Sequence, residues 1–230
     1  MKPYLVCHMC TTIDGRIMPQ RWGKLPGPKS PADLFETTAA SYGIGAWIVG
    51  TTTMKEFCAK PFKLKPATRA IDRRRDHIAK PSAKRLAIGV DRRGQTFWKS
   101  DEVQGDHVVL LLTQRVSDAY LAHLQSAGVS YLFCGKSEVT LPVALDKLAR
   151  AFKLKKAMVQ GGGAMNGSFL QAGLIDEISH ITVPVADGGM GIQTFFDIRG
   201  RTPSKAAAKL KLMSHRMLGG GVTWIKYRVL

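Results

Sequence analysis

The stretch VQGGGAMNGSFLQAGLIDE, Val159 to Glu177, sets three consecutive glycines between a short apolar run and a segment that reads as a helix. Each glycine loses more backbone entropy on folding than any other residue, so a loop that keeps three needs unusual dihedrals or close approach to its backbone. KAMVQ (Lys156 to Gln160) reads as a strand, the helix runs to Ala172, and Gly173 ends it. Ligands of α/β sheets bind at the carboxyl ends of strands, and a helix amino terminus offers free N–H groups and a positive dipole to a phosphate. The motif alone leaves a tight turn and a phosphate seat both open. The spacing Gly161, Gly163, Gly167 superficially matches a Rossmann fingerprint, but that fingerprint needs βαβ units after it, and mostly antiparallel strands are expected here.

Working outward, Leu5 to Thr11 reads as a first strand that ends in the polar turn TTIDG. Ser30 is an N-cap and Pro31 a first helical residue for a helix to about Tyr42. AWIVG (Ala46 to Gly50) is a buried strand followed by TTT, three hydroxyls suited to capping the next helix. KRLAIGV (Lys84 to Val90), HVVLLL (His107 to Leu112) and VSYLFC (Val129 to Cys134) are further strands, with helices over Ser117 to Gly128 and Leu141 to Phe152. Apolar strands alternating with helices indicate a mainly parallel sheet covered on both faces. EISHITVPV (Glu177 to Val185), AKLKLM (Ala208 to Met213) and VTWIKYRVL (Val222 to Leu230) lack intervening helices, and Gly219 to Gly221 should turn the last two into a hairpin. The expectation is a single α/β domain over all 230 residues, with antiparallel strands and a hairpin at its carboxyl end.

With 45% hydrophobic content, the chain can bury a full core. Its apolar runs are too short for a signal peptide or a bilayer span, so a soluble cytoplasmic protein with no membrane partner is expected. Cys7 and Cys10 form a C-x-x-C, but residues three apart on a strand face opposite sides, so they read as core and no metal is expected. The formal charge is +17, and the segment Lys60 to Arg93 carries twelve basic residues against three acids. That field favours anionic partners, or it is a solvated surface. Few aromatics interleave with it, which argues against a stacking platform for single-stranded nucleic acid.

Three stretches in the same order resemble the reductase domain of bifunctional riboflavin-biosynthesis deaminase/reductases. They are TTIDGRI (Thr11 to Ile17), AWIVGTTTM (Ala46 to Met54) and the glycine segment itself; LAIGVDRRG (Leu86 to Gly94) matches more weakly. The resemblance spans nearly the whole chain and implies a dihydrofolate-reductase-like fold, NADPH as cofactor, a small-molecule substrate and a homodimer. It places the cofactor diphosphate against Gly161, Gly162, Gly163, Ala164, Met165, Asn166, Gly167 and Ser168, with Cys10, Thr12, Asp14 and Thr53 close by. Arg92 and Arg93 are candidates for the 2′-phosphate, or solvated loop arginines. Asp14 is a candidate to orient substrate or transfer a proton, or else it holds its turn through an Asx bond. None of the six histidines begins an H-x-E and no P-C-x-x-C occurs in these residues, so deaminase chemistry is not expected of them.

The departures from that family concern the substrate. Gln160 stands where the family typically has Glu, Ser41 where it has Arg, and CAKPFKLKPATR does not reproduce its L-T-V-R segment. Gln160 is still the candidate to contact the pyrimidine, but without a charge, and a serine cannot pair with phosphate as a guanidinium does. Lys63, Lys65 and Arg69 are candidates to compensate. The leading expectation is an NADPH-dependent reductase of a heterocyclic or sugar-phosphate substrate, with the ribosylaminopyrimidine phosphate of riboflavin synthesis as the named case. The alternatives are dihydrofolate reduction, for which Asp33 and Glu36 are the available acids on the first helix, and a basic nucleic-acid-binding protein. The homodimer is expected through late apolar strands including Trp224 and Tyr227.

Overall fold

The computed structural model describes residues 2–27, 29–68, 70–72, 75–198 and 207–230. Two compact units are present, one built mainly from Gly45–Ala157 and the other from Tyr4–Ile44 with Met158–Leu230. The chain starts in the second of these with β1 (Tyr4–Thr11), a short 3-10 turn at Pro19–Arg21, and α1 (Pro31–Ala40). The expected start of α1 is met in full. Ser30 accepts from the Asp33 N–H while the Asp33 carboxylate accepts from the Ser30 N–H, a reciprocal cap that satisfies two otherwise orphaned donors.

The Gly45–Ala157 unit then runs through β2 (Ala46–Gly50), α2 (Thr51–Met54), β3 (Leu86–Val90), β4 (Glu102–Val103) and β5 (Asp106–Leu112). It continues with α3 (Asp118–Ser126), β6 (Ser130–Phe133) and α4 (Leu141–Phe152). β2, β3, β5 and β6 pair in parallel, while the two-residue β4, which sequence reading does not reveal, is antiparallel to β5. β5 is buried at every position, as a strand covered on both faces must be. Its side chains meet Tyr120, Leu121 and Leu124 of α3 and Tyr131 and Phe133 of β6 in one apolar cluster. One expectation fails here: Thr51, Thr52 and Thr53 lie inside α2 and do not cap it, Gly50 being the N-cap without a side-chain bond. Thr51 Oγ1 donates instead to the Val90 carbonyl at 2.7 Å, pinning α2 to the end of β3.

β7 (Lys156–Val159) carries the chain back to the second unit, which finishes with α5 (Gly163–Gln171), β8 (Glu177–Thr182), β9 (Leu210–Gly219) and β10 (Val222–Val229). There β1 pairs with β8 in parallel, and β10 is antiparallel to both β8 and β9. The first of the late strands is thus parallel to β1, and only β9 and β10 form the antiparallel hairpin, its turn made by Gly219, Gly220 and Gly221 at positive φ. β10, which carries the Trp224 and Tyr227 expected at a dimer contact, is not an edge strand. It is paired on both sides, and Trp224 is buried with its indole N–H donating to Ser179 Oγ at 2.9 Å. The same hydroxyl meets His8 Nδ1 at 2.8 Å, and burial holds the His8 imidazole down at about 4, so it is neutral at pH 7. Within this unit, and among the described residues, the strand with one partner is β9, with Leu212, Met213 and Met217 exposed along it.

The strongest polar knot of the first unit is Asp91, fully buried just after β3. Its carboxylate accepts from the N–H groups of Gln95 and Thr96, from Thr96 Oγ1, and from the Tyr120 hydroxyl of α3 at 3.0 Å. Asp91→Ala should therefore lower the unfolding free energy by about 3 kcal/mol, since it strands several buried donors at once. Asp91→Asn, which keeps one acceptor oxygen, should cost less. Urea denaturation checks both, and an alanine variant as stable as the parent would refute this role.

Candidate functional site

The three glycines of the opening stretch do three different jobs. Gly161 sits at φ +96°, where an L side chain is strained, and a Cβ there would stand 3.2 Å from Met9 Sδ on β1. Gly163 opens α5 so close to a later segment of chain that a Cβ would collide with the Thr194 carbonyl oxygen and lie 2.6 Å from Asp197 Oδ2. Gly167, one turn on, would collide with the Asp197 carbonyl oxygen. These two are packing glycines. Gly162 differs from both. Its φ of −67° suits any residue, and a methyl group on it would meet one neighbour, the end of the Gln193 side chain, at 3.2 Å.

Gly162 is also the N-cap of α5, and among the described residues no side chain caps this helix. The Gly162 carbonyl accepts from the N–H groups of Met165 and Asn166, so the end is closed as a helix but offers its first N–H groups and positive dipole outward. Of the residues expected to line it, Gly163, Asn166 and Gly167 are buried against the later segment, and the Ser168 hydroxyl turns back to the Ala164 carbonyl at 2.7 Å. Ala164 and Met165 stay partly exposed beside Gly162. The part of the loop that can meet a ligand is therefore shorter than the motif.

The segment that Gly163 and Gly167 admit, residues 187–197, has no periodicity and sequence reading assigns it nothing. It is a strap. Asp197 N–H donates to the Gly163 carbonyl at 3.0 Å, Asn166 Nδ2 donates to the Phe195 carbonyl at 3.0 Å, and Thr194 Oγ1 donates to Asp197 Oδ1 at 2.6 Å. Its other side holds the turn after β1. Phe195 N–H donates to the Gly15 carbonyl, Ile17 N–H to the Gln193 carbonyl, and Arg16 Nη1 to the Ile192 carbonyl. Asp14 completes this join, accepting from Thr12 Oγ1 at 2.6 Å and from the N–H groups of Asp187 and Gly188 at 3.1 and 2.9 Å. Arg21 closes it with two bonds to the Asp187 carboxylate.

These bonds bear on Asp14. The Thr12 hydroxyl first, then the two strap N–H groups, hold its carboxyl well below the usual range. An anion so held is a poor proton donor at neutral pH, and its oxygens are occupied by the turn and the strap. Thr12 is committed to the same bond. Cys10 lies on β1, buried with Trp22, Leu25 and Leu34, on the strand face opposite to Met9 and therefore away from Gly161. Gln160 Nε2 reaches Met158 Sδ at 3.3 Å, and Ser41 Oγ donates to the Thr38 carbonyl at the end of α1.

The remaining candidates belong to the other unit. Thr53 is partly exposed on α2, Arg93 is exposed, and Arg92 Nη1 pairs with the Glu138 carboxylate at 2.6 Å. In the basic segment, Lys60, Lys63 and Lys65 face solvent and Lys80 pairs with Glu102 at 2.9 Å. Arg69, Arg73 and Arg74 lie outside the described residues.

The sequence model described as the RibD C-terminal domain matches residues 3–224. A protein of Aquifex aeolicus named 2,5-diamino-6-ribosylamino-4(3H)-pyrimidinone 5′-phosphate reductase is 29% identical over 111 residues, 48% of this chain and 49% of the relative. A protein of the same name from Methanothermobacter thermautotrophicus is 31% identical over 85 residues, 37% of this chain and 39% of its own length. The chain thus spans about half, or less, of the curated relatives it matches. Among solved structures, a pyrimidine reductase-like protein of Corynebacterium diphtheriae superposes with a TM-score of 0.67 at 18% identity, over 99% of this chain and 92% of that one. RibD of Acinetobacter baumannii gives 0.66 at 19% identity, over 100% and 58%. Likeness at these identities establishes a shared fold.

The division of labour among the glycines is directly testable. Gly163→Ala should cost about 3 kcal/mol or more, because backbone atoms of the strap cannot yield as a flexible side chain does. Gly162→Ala should cost under about 1 kcal/mol, only the end of Gln193 having to move. Thermal melts of the two variants check the contrast, and equal losses would refute it.

Proposed function

The chain belongs to the RibD C-terminal domain family, and from that premise we propose that it is an NADPH-dependent reductase of a small heterocyclic or sugar-phosphate substrate related to the ribosylaminopyrimidine phosphate. The observation that carries the reading is the uncapped amino end of α5 with Gly162 open before it. A dianionic diphosphate suits such a cradle, because it is met by backbone N–H groups and the helix dipole without a side chain in the way. When bound, the cofactor supplies hydride from nicotinamide C4 to the sugar C1′ of an imine, turning a ribosyl chain into a ribityl one. What this chain adds is position: Gly162 and the first turn of α5 seat the diphosphate, and the strap and the Asp14 turn keep that seat rigid. Asp14 acts in this scheme as an anchor of the turn.

Two alternatives lose ground. Asp33 is spent on the α1 cap and both it and Glu36 are exposed, so neither is placed as a buried acid for a folate ring. The described basic residues from Lys60 to Arg93 are exposed or paired, as on an ordinary solvated surface, and only charge speaks for nucleic acid.

The expected outcome is saturable binding of NADPH, tighter than that of NADH, with loss of binding in a folded Gly162→Val variant. The ribosylaminopyrimidine phosphate should turn over poorly, since Gln160 brings no charge and Ser41 no guanidinium, and Gln160→Glu alone should not restore it. Cofactor fluorescence titration and steady-state kinetics read these results. Normal NADPH affinity in the valine variant would remove the cradle from the scheme, and efficient turnover by the parent would remove the penalty at Gln160 and Ser41.

We further propose a homodimer, for which the exposed apolar side chains of the edge strand β9 speak. Light scattering at micromolar concentration should give twice the 25.2 kDa chain mass, and a charged residue in place of Met213 should shift it toward monomer. A parent protein of monomeric mass would end this proposal.

A further inference from the structure

Gln193 borders the seat that Gly162 leaves open. Among the described residues, its side-chain oxygen is the single neighbour a methyl group on Gly162 would meet, at 3.2 Å. The side chain is exposed, whereas the main chain beneath it is fixed. The Gln193 carbonyl accepts from Ile17 N–H at 3.1 Å, and the next residue, Thr194, bridges to Arg16 and donates to Asp197. The strap is in turn tied to α5 at Gly163 and Asn166. A primary amide carried on so firm a support, beside an uncapped helix end, is arranged to meet a group docked there.

Its chemistry suits an anion. An amide carries two N–H donors on one side and an acceptor on the other, and a half-turn about its last bond exchanges them. Against an ionised phosphate, which offers only acceptors, the donor side faces the ligand at no cost in charge.

We propose that Gln193 is a cofactor-binding residue, its side-chain amide donating to the anionic group seated at the amino end of α5. This rests on the reading of that seat as the NADPH diphosphate site. It adds a donor from the strap to those of the helix, so two elements distant in sequence grip the same group.

The test is a charge series at this position, Gln193→Ala, Gln193→Glu and Gln193→Lys, read as the Kd for NADPH by fluorescence titration. Thermal melts should show all four proteins equally folded. Loss of the donor should raise Kd about tenfold in the alanine variant. The glutamate variant should bind more weakly still, and the lysine variant at least as tightly as the parent, with a steeper salt dependence. A merely structural role would not order the affinities by charge. A parent that binds NADPH with variants all of equal Kd overturns this inference and leaves the reductase reading standing. A parent that binds no NADPH overturns both.

Discussion

Between Gly163 and Thr194 there is no room for a methyl group, and the second unit is organised around that fact. The close approach lets backbone meet backbone, Asp197 N–H to the Gly163 carbonyl, so the start of α5 and the strap become one rigid piece. The strap carries on to the turn after β1, where Asp14, Arg16 and Arg21 each make a polar contact to it. A single side chain at Gly163 or Gly167 would have to push the strap off the helix and, through it, loosen the turn that follows β1. Helix, strap and turn are three segments far apart in sequence, and a near absence of volume is what joins them.

Much of the frame is legible in the sequence because local signals are strong there. α4 is found at Leu141–Phe152 as expected, its apolar residues recurring at helical spacing behind Pro142. β2 is bounded as read, an apolar run closed by Gly50. The strap is illegible for the opposite reason: DGGMGIQTFFD has no period, and its glycines announce only flexibility, while its function is to be held by others. β9 is longer than the sequence suggests because its residues are exposed along most of its length, so no alternation marks it. The site shows the same split. The glycine loop can be found from its spacing, but which glycine is left open depends on atoms of residues 193–197, thirty residues away, that no local pattern encodes.

Charge proves a weaker guide than geometry. An excess of seventeen positive charges invites an anionic partner, yet Arg92 faces Glu138, Lys80 faces Glu102, and Lys60, Lys63 and Lys65 point into solvent. The acids follow the same rule. Asp14 and Asp33, both open to a chemical reading in the sequence, are each consumed by neighbouring N–H and O–H groups. Where a carboxylate's oxygens are taken up by nearby hydroxyl and N–H donors, as Asp14's are by Thr12 and the strap, its task is to shape the backbone.

The order of the chain through the two units also sets a schedule. Apart from the few residues before β1, the unit of Gly45–Ala157 is one stretch of chain, whereas the other is assembled from both sides of that stretch. β1 has β8 as its parallel partner, and 171 residues separate His8 from Ser179. At about 5–20 residues per second of synthesis, β1 emerges from the ribosome roughly 9 to 34 s before that partner exists. During that interval LVCHMC, Leu5 to Cys10, is an apolar strand with no partner at β8, while the inserted unit can already close its own sheet. β1 is thus made well before it can be settled, and until β8 appears its apolar side chains wait without that neighbour.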